Sequence, residues 1–207
     1  MPTTTISLIR HGLVHNPQKI YYGHLPRYRL SGEGQAQAEA AGLNLCRARV
    51  SAIYTSPLLR ARQTAALVQA QCQPQPPIRH SQFLLEIHTP HDGRTQAELA
   101  LQNWDLYTGN TPPYEHPEDV LARLQQFLWR VRQRHMGEHV AAVTHGDVVA
   151  FSWLWVAGRP FDPTHKNANL SQIGHSDPYP ETASITTLQF ATAERDERPQ
   201  ITYIRPY

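Results

Sequence analysis

Cysteine and methionine are scarce, with two of each in 207 residues. Cys46 and Cys72 form no closely spaced pair, so no disulfide framework is indicated. Free thiols in a reducing cytoplasm are the expectation, and a single disulfide is the alternative. Charge of one sign is missing too: 19 basic against 17 acidic side chains leave a formal +2. That balance gives no support to nucleic-acid or membrane-surface binding. No apolar run approaches the length of a membrane span. The opening "MPTTTISLIRHG" has no basic region followed by a long apolar stretch, so no signal peptide is read. No internal repeat and no Gly/Ser-rich linker divides the chain, and one domain over 1–207 is expected.

Histidine, by contrast, is abundant, with twelve residues. Several fall at informative places. "TISLIR" (5–10), "SAIYTS" (51–56), "HVAAVTH" (139–145), "SITTLQF" (184–190) and "ITYIR" (201–205) are rich in β-branched residues and read as strands, with "FLLEI" (83–87) a weaker candidate. "SGEGQAQAEAAGLNLCRA", beginning at an N-cap Ser31, reads as a helix. So do "PLLRARQTAALVQAQC" and "PEDVLARLQQFLWRVRQRH", the latter with Pro117 at its first position. "GDVVAFSWLWVAG" is apolar nearly all round and predicts a buried helix in which Phe151, Trp153 and Trp155 are core. Alternating strands and helices imply an α/β domain with a mostly parallel sheet covered on both faces. The segments 13–30, 87–116 and 158–182 are left as irregular.

The chemistry-bearing residues sit where strands end. Arg10-His11-Gly12 closes the first strand, and Thr55-Ser56-Pro57 leads into Arg60 one helical turn on. Glu86 ends "FLLEI", and Thr144-His145-Gly146 ends "HVAAVTH". In a parallel sheet these ends share one edge, so two imidazoles, two guanidiniums and a carboxyl group converge. Guanidiniums grip phosphate oxygens through forked hydrogen bonds. A neutral imidazole is a competent nucleophile, a second one can add charge, and a carboxylic acid can protonate a leaving oxygen. That set suits phosphoryl transfer. His88, His91 and Asp92 in "HTPHD" read better as a substrate-facing loop than as metal ligands. Tyr21, Tyr22, His24, Arg27 and Tyr28 read as a pocket wall or as a plain surface loop.

"LIRHG", "YTSPLLRARQTA", an isolated Glu one element later and "VTHGD" resemble, in that order, the histidine phosphatase (phosphoglycerate mutase-like) superfamily. The resemblance implies a three-layer α/β/α sandwich. It implies His11 as the nucleophile, Arg10, Arg60 and His145 as phosphoryl-oxygen ligands, and Glu86 as the general acid. Asn16 matches the family's phosphate-contacting Asn, and the Gly12 and Gly146 backbones are candidate donors. No metal or organic cofactor is implied, and the partner is a small phosphorylated metabolite. Leu13 and Val14 depart from the family's usual polar pair, and the Glu-Arg-His-Tyr-Gly run of true phosphoglycerate mutases is missing. The expectation is therefore a cytoplasmic phosphatase. A phosphoglycerate-type mutase and a non-catalytic phospho-ligand binding protein are the alternatives.

Overall fold

The computed structural model describes residues 3–163 and 166–207, so positions 164 and 165 of the 158–182 segment lie outside the described residues. Six strands form one sheet: β1 (Thr4–Arg10), β2 (Ala52–Thr55), β3 (Ile78–His80), β4 (His139–Thr144), β5 (Ile185–Phe190) and β6 (Gln200–Ile204). Their order is β3-β2-β4-β1-β5-β6. β1 through β4 pair in parallel, whereas β5 runs against both β1 and β6. The mostly parallel sheet expected from the alternating pattern is therefore present.

Side-chain parity along the strands sorts the core into two layers, because successive residues face opposite sides of a sheet. Ile6, Leu8, Val140, Ala142, Leu188 and Phe190 face one cluster, which includes Val120, Leu124 and Phe127 of α4 (Pro117–Arg134). Phe151 and Trp153 of α5 (Gly146–Ala157) complete that layer. Ile9, Ile53, Ala141, Val143 and Ile185 face the other cluster. There they meet Ala41 and Leu45 of α1 (Gly32–Leu45) and Ala61, Ala65 and Val68 of α2 (Leu59–Ala70). Alanine on both sides lets these helices lie close to the sheet. The result is the three-layer α/β/α sandwich.

Local chemistry explains the helix ends. Ser31 accepts a hydrogen bond from Gly34 N and caps α1. Pro117, Glu118 and Asp119 open α4, and Arg132 and Arg134 close it, matching the helix dipole at both ends. α5 is buried on every side except at its last turn, as its composition predicts, and Trp153 Nε1 donates to Thr186 Oγ1 at 2.8 Å.

Three expectations fail. "FLLEI" is not a strand: Gln82–Leu84 form a 3-10 turn that buries Leu84. The edge strand is instead the short β3, where pairing of Ile53 with Ile78 replaces any apolar pattern as the determinant. Ser81 N donates to Thr55 O, and from that last rung the chain must turn over the sheet edge. Cys46 and Cys72 are not free thiols but are joined, their Cα atoms 5.0 Å apart. Both α1 and α2 return between parallel strands, so their C-terminal ends, which carry the two cysteines, lie side by side. The segments left as irregular also contain α3 (Gln96–Leu101), opened by a Thr95–Glu98 capping box, and α6 (Lys166–Ser171).

The turn after β1 is wedged against the start of α1. A methyl group at Gly34 would overlap the backbone of Leu13, whereas one at Gly32 would meet nothing within 4 Å. Helix propensity favours alanine over glycine by about 1 kcal/mol, but overpacking against rigid backbone costs about 1–3 kcal/mol. Gly34→Ala should therefore lower the urea midpoint while Gly32→Ala leaves it unchanged or raises it. Equal effects from the two substitutions would contradict the wedge.

Candidate active site

Two adjacent parallel strands deliver the imidazoles. Arg10 pairs with Thr144 across β1 and β4, and His11 N donates to Thr144 O at 3.0 Å, so His11 and His145 emerge side by side. Their ring centroids are 5.2 Å apart. The chain leaves β1 toward the layer of α1 and leaves β4 toward the layer of α5, which opens a crevice between the two strand ends. Ser56 N donates to Val143 O, and the following turn starts α2 with Arg60 in its first turn. Glu86 arrives from the neighbouring strand end, two residues past the 3-10 turn.

Arg60, 1% exposed, holds this set together. Its Nε donates to His11 Nε2 at 3.1 Å, and its Nη2 donates to Gly23 O at 2.8 Å and to His145 Nδ1 at 3.2 Å. The same Nη2 is 3.8 Å from Glu86 Oε2, which in turn is 3.5 Å from His145 Nδ1. Tyr22 covers the guanidinium face at 4.8 Å.

These contacts define tautomers. His11 Nδ1 lies 2.9 Å from Gly12 O, an acceptor, so Nδ1 carries the proton and Nε2 carries the lone pair that Arg60 addresses. Burial, reinforced by the Arg60 and Arg10 guanidiniums, holds the His11 imidazole well below the ordinary histidine value. His145 is held neutral by burial and by the same Arg60, with His11 adding to the effect; its Nε2 faces Ser56 Oγ at 2.9 Å. Burial pushes the Glu86 carboxyl up against the opposing pull of Arg60, with Asp147 adding to the rise. The pocket therefore joins an unprotonated imidazole nitrogen to a carboxyl group disposed to keep its proton.

The site opens into a cavity of about 320 Å³, at the small end for ligand pockets. Arg10 and His11 line its floor. Arg10 is anchored by Nη1 donating to Pro180 O at 2.6 Å and by the Tyr179 ring 5.3 Å away. Its buried Nε has no acceptor among the described residues. Gly146 lines the cavity as the first residue of α5, where N–H groups lack intrahelical acceptors.

His11, Glu86 and His145 also offer ligand atoms within 4.8 Å of one another, a spacing open to a divalent cation. Arg60 reaches all three and places a fixed positive charge where such a cation would sit.

Other candidates go elsewhere. Gly12 N donates to Thr64 Oγ1 at 3.0 Å and so does not face a ligand; a side chain there would strike the Gly34 backbone. Asn16 turns both amide atoms onto Ile20, with Nδ2 donating to Ile20 O and Oδ1 accepting from Ile20 N, and closes its own loop. The spacing that suggested a phosphate contact serves a turn instead. His88 and His91 are not in the cavity lining: His88 Nδ1 meets Pro113 O, and His91 Nδ1 accepts from Arg94. The tyrosine loop does form a wall, through Tyr21 and Tyr22, while His24 Nε2 donates to Glu86 O and Arg27 points to solvent.

The cavity lining also holds a group that the sequence analysis does not single out. Asp147 accepts from Lys166, Tyr107 and Tyr179, and Trp104 and Gln96 lie nearby on the lining. The one signal for it in the sequence is an acid directly after His145-Gly146, at a helix N-terminus.

The family model for the Histidine phosphatase superfamily (branch 1) matches residues 6–187. An uncharacterized protein of Mycobacterium tuberculosis is 32% identical over 179 residues, covering 82% of this chain and 88% of its own length. The YhfR protein of Bacillus stearothermophilus superposes with a TM-score of 0.73 at 28% identity, over 89% of this chain and 90% of the other. The mycobacterial glucosyl-3-phosphoglycerate phosphatase gives a TM-score of 0.77 at 22% identity, over 98% and 99% of the two chains. The match across nearly the whole sheet, on top of the converging side chains, establishes that the chain belongs to the histidine phosphatase superfamily.

Proposed function

We propose that the protein is a phosphomonoesterase working through a covalent phosphohistidine on His11. The observation that carries the proposal is the His11 tautomer: Nδ1–H is tied to Gly12 O, and the Nε2 lone pair is turned to Arg60. In the first step Nε2 attacks phosphorus in line and the ester P–O bond breaks. Glu86 gives its proton to the departing oxygen. In the second step water attacks phosphorus, Glu86 takes a proton from it, and the P–N bond breaks to release phosphate. Arg10, Arg60 and His145 stabilise the charge spread over the phosphoryl oxygens, and the Gly146 N–H adds a neutral donor.

No metal or organic cofactor enters this scheme, because Arg60 supplies the central positive charge. Known activities among relatives of the same fold include glucosyl-3-phosphoglycerate phosphatase and alpha-ribazole phosphatase, which supports a small phosphorylated metabolite as substrate. One domain spanning the chain carries the activity, without nucleic-acid or membrane partners. A cytoplasmic location is part of this proposal, supported by a small phosphorylated metabolite as the expected substrate. A mutase would have to shield the phosphoenzyme from water and grip a second anionic group.

His11→Ala should abolish phosphate release from p-nitrophenyl phosphate, and rapid acid-free quenching of the native enzyme should trap one phosphoryl group on His11. Full activity in His11→Ala would refute the mechanism. Arg10→Ala should cost about 10²–10³ in kcat/KM, whereas Asn16→Ala should cost less than about tenfold, because its amide serves a loop. Steady-state kinetics on both variants checks the contrast.

The pH profile follows from the two shifted groups. Activity fails at low pH as His11 gains a proton, which its lowered pKa delays, and fails at higher pH as Glu86 ionises, which its raised pKa delays. A bell centred on the acidic side of neutrality is expected. Glu86→Gln should remove the upper limb and slow alkyl phosphates far more than p-nitrophenyl phosphate, whose leaving group needs no proton. Equal slowing of both esters would sink Glu86 as the acid.

A further inference from the structure

A buried ion pair forms part of the cavity wall. Lys166 Nζ donates to Asp147 Oδ1 at 2.9 Å and to Oδ2 at 3.0 Å, and the two residues are 5% and 4% exposed. Tyr107 OH donates to Oδ2 at 2.5 Å and Tyr179 OH to Oδ1 at 2.7 Å. A carboxylate has about four acceptor sites, and here all four are taken. Burial opposes ionisation of Asp147, but Lys166 and the two phenols outweigh it and hold the carboxyl below its ordinary value. The Lys166 ammonium is thus matched by a full negative charge in direct contact, and the Tyr107 and Tyr179 rings flank it at 5.7 and 5.9 Å.

Among the described residues lining the cavity, Lys and Arg are represented by Lys166 and Arg10, and Arg10 belongs to the phosphate end. A second anion on the substrate would approach Lys166 and Asp147 together. Attraction and repulsion would nearly cancel, leaving the cost of stripping that anion of water without compensation. A hydroxyl group meets no such obstacle. Asp147 takes two of the three Lys166 N–H donors among the described residues, Gln96 offers an amide, and Tyr21, Trp104 and Leu106 provide apolar faces for a carbon skeleton.

We propose that the Asp147–Lys166 pair makes the leaving-group end of the cavity electrically neutral and selects phosphomonoesters whose alcohol portion is hydroxylated but carries no second anionic group. This inference rests on the phosphatase reading above. It sets the chain apart from enzymes for carboxylated phosphoglycerates while keeping the same reaction.

Glycerol 3-phosphate and 3-phosphoglycerate differ in one end group, hydroxymethyl against carboxylate, and so isolate the charge. The purified protein should hydrolyse glycerol 3-phosphate with kcat/KM at least about tenfold above that for 3-phosphoglycerate. Asp147→Asn, which unmasks the ammonium, should shrink the ratio by about tenfold, and Lys166→Met, which leaves the carboxylate alone, should enlarge it. Damage to packing would slow both esters alike and leave the ratio unmoved. The unsubstituted enzyme already tests the proposal should either variant fail to fold. Equal or better use of 3-phosphoglycerate by that enzyme, or a ratio that moves the same way in both variants, overturns the inference while the phosphatase reading stands. No phosphate from either ester or from p-nitrophenyl phosphate overturns both.

Discussion

A single buried guanidinium organises the strand-end chemistry. Arg60 contacts His11 Nε2, His145 Nδ1 and Gly23 O and stands near Glu86, so groups from four parts of the chain share one charge. Burying that charge without partners would be costly, and the surrounding imidazoles and carbonyl are what make it tolerable. Burial holds both imidazoles below the ordinary histidine value, and the same charge adds to that effect. Structure and reactivity therefore share contacts: Arg60 both ties His11, His145 and Gly23 together and adds to the lowering of the His11 pKa.

The sheet makes this convergence possible at low cost in geometry. β1 and β4 are neighbours in parallel register, so the residues that follow them must come out together. Their helices depart to opposite layers, and the gap left between is the cavity. Close backbone packing at Gly12 and Gly34 then holds the turn after His11 against α1, and Thr64 takes up the Gly12 N–H. The imidazole is positioned by main chain on one side and by Arg60 on the other.

Much of the site was readable because its residues sit at the ends of strongly patterned elements. "LIRHG" and "VTHGD" follow uninterrupted β-branched runs, and Arg60 lies a fixed turn into a well-marked helix. Glu86 was placed correctly although its supporting strand was not: apolar residues at 83–85 buried themselves in a turn, and the true edge strand "IRH" has no apolar alternation to betray it. For Asn16, chain spacing cannot say where an amide turns, and here it is bonded to the backbone of Ile20 four residues on. The cysteine pairing depended on the parallel course of α1 and α2, a tertiary fact. The Asp147, Lys166, Tyr107 and Tyr179 assembly joins positions 19 to 40 residues apart, across loops without periodicity.

The central claim is that His11 stands neutral, with its proton on Nδ1 and its Nε2 lone pair directed at Arg60. Nitrogen-15 NMR of the labelled imidazole, followed from neutral pH downward, tests it without any substrate. The account predicts one fixed Nδ1–H tautomer that resists protonation well below the pH at which an exposed histidine titrates. A proton resident on Nε2, or titration at the ordinary histidine value, would contradict it.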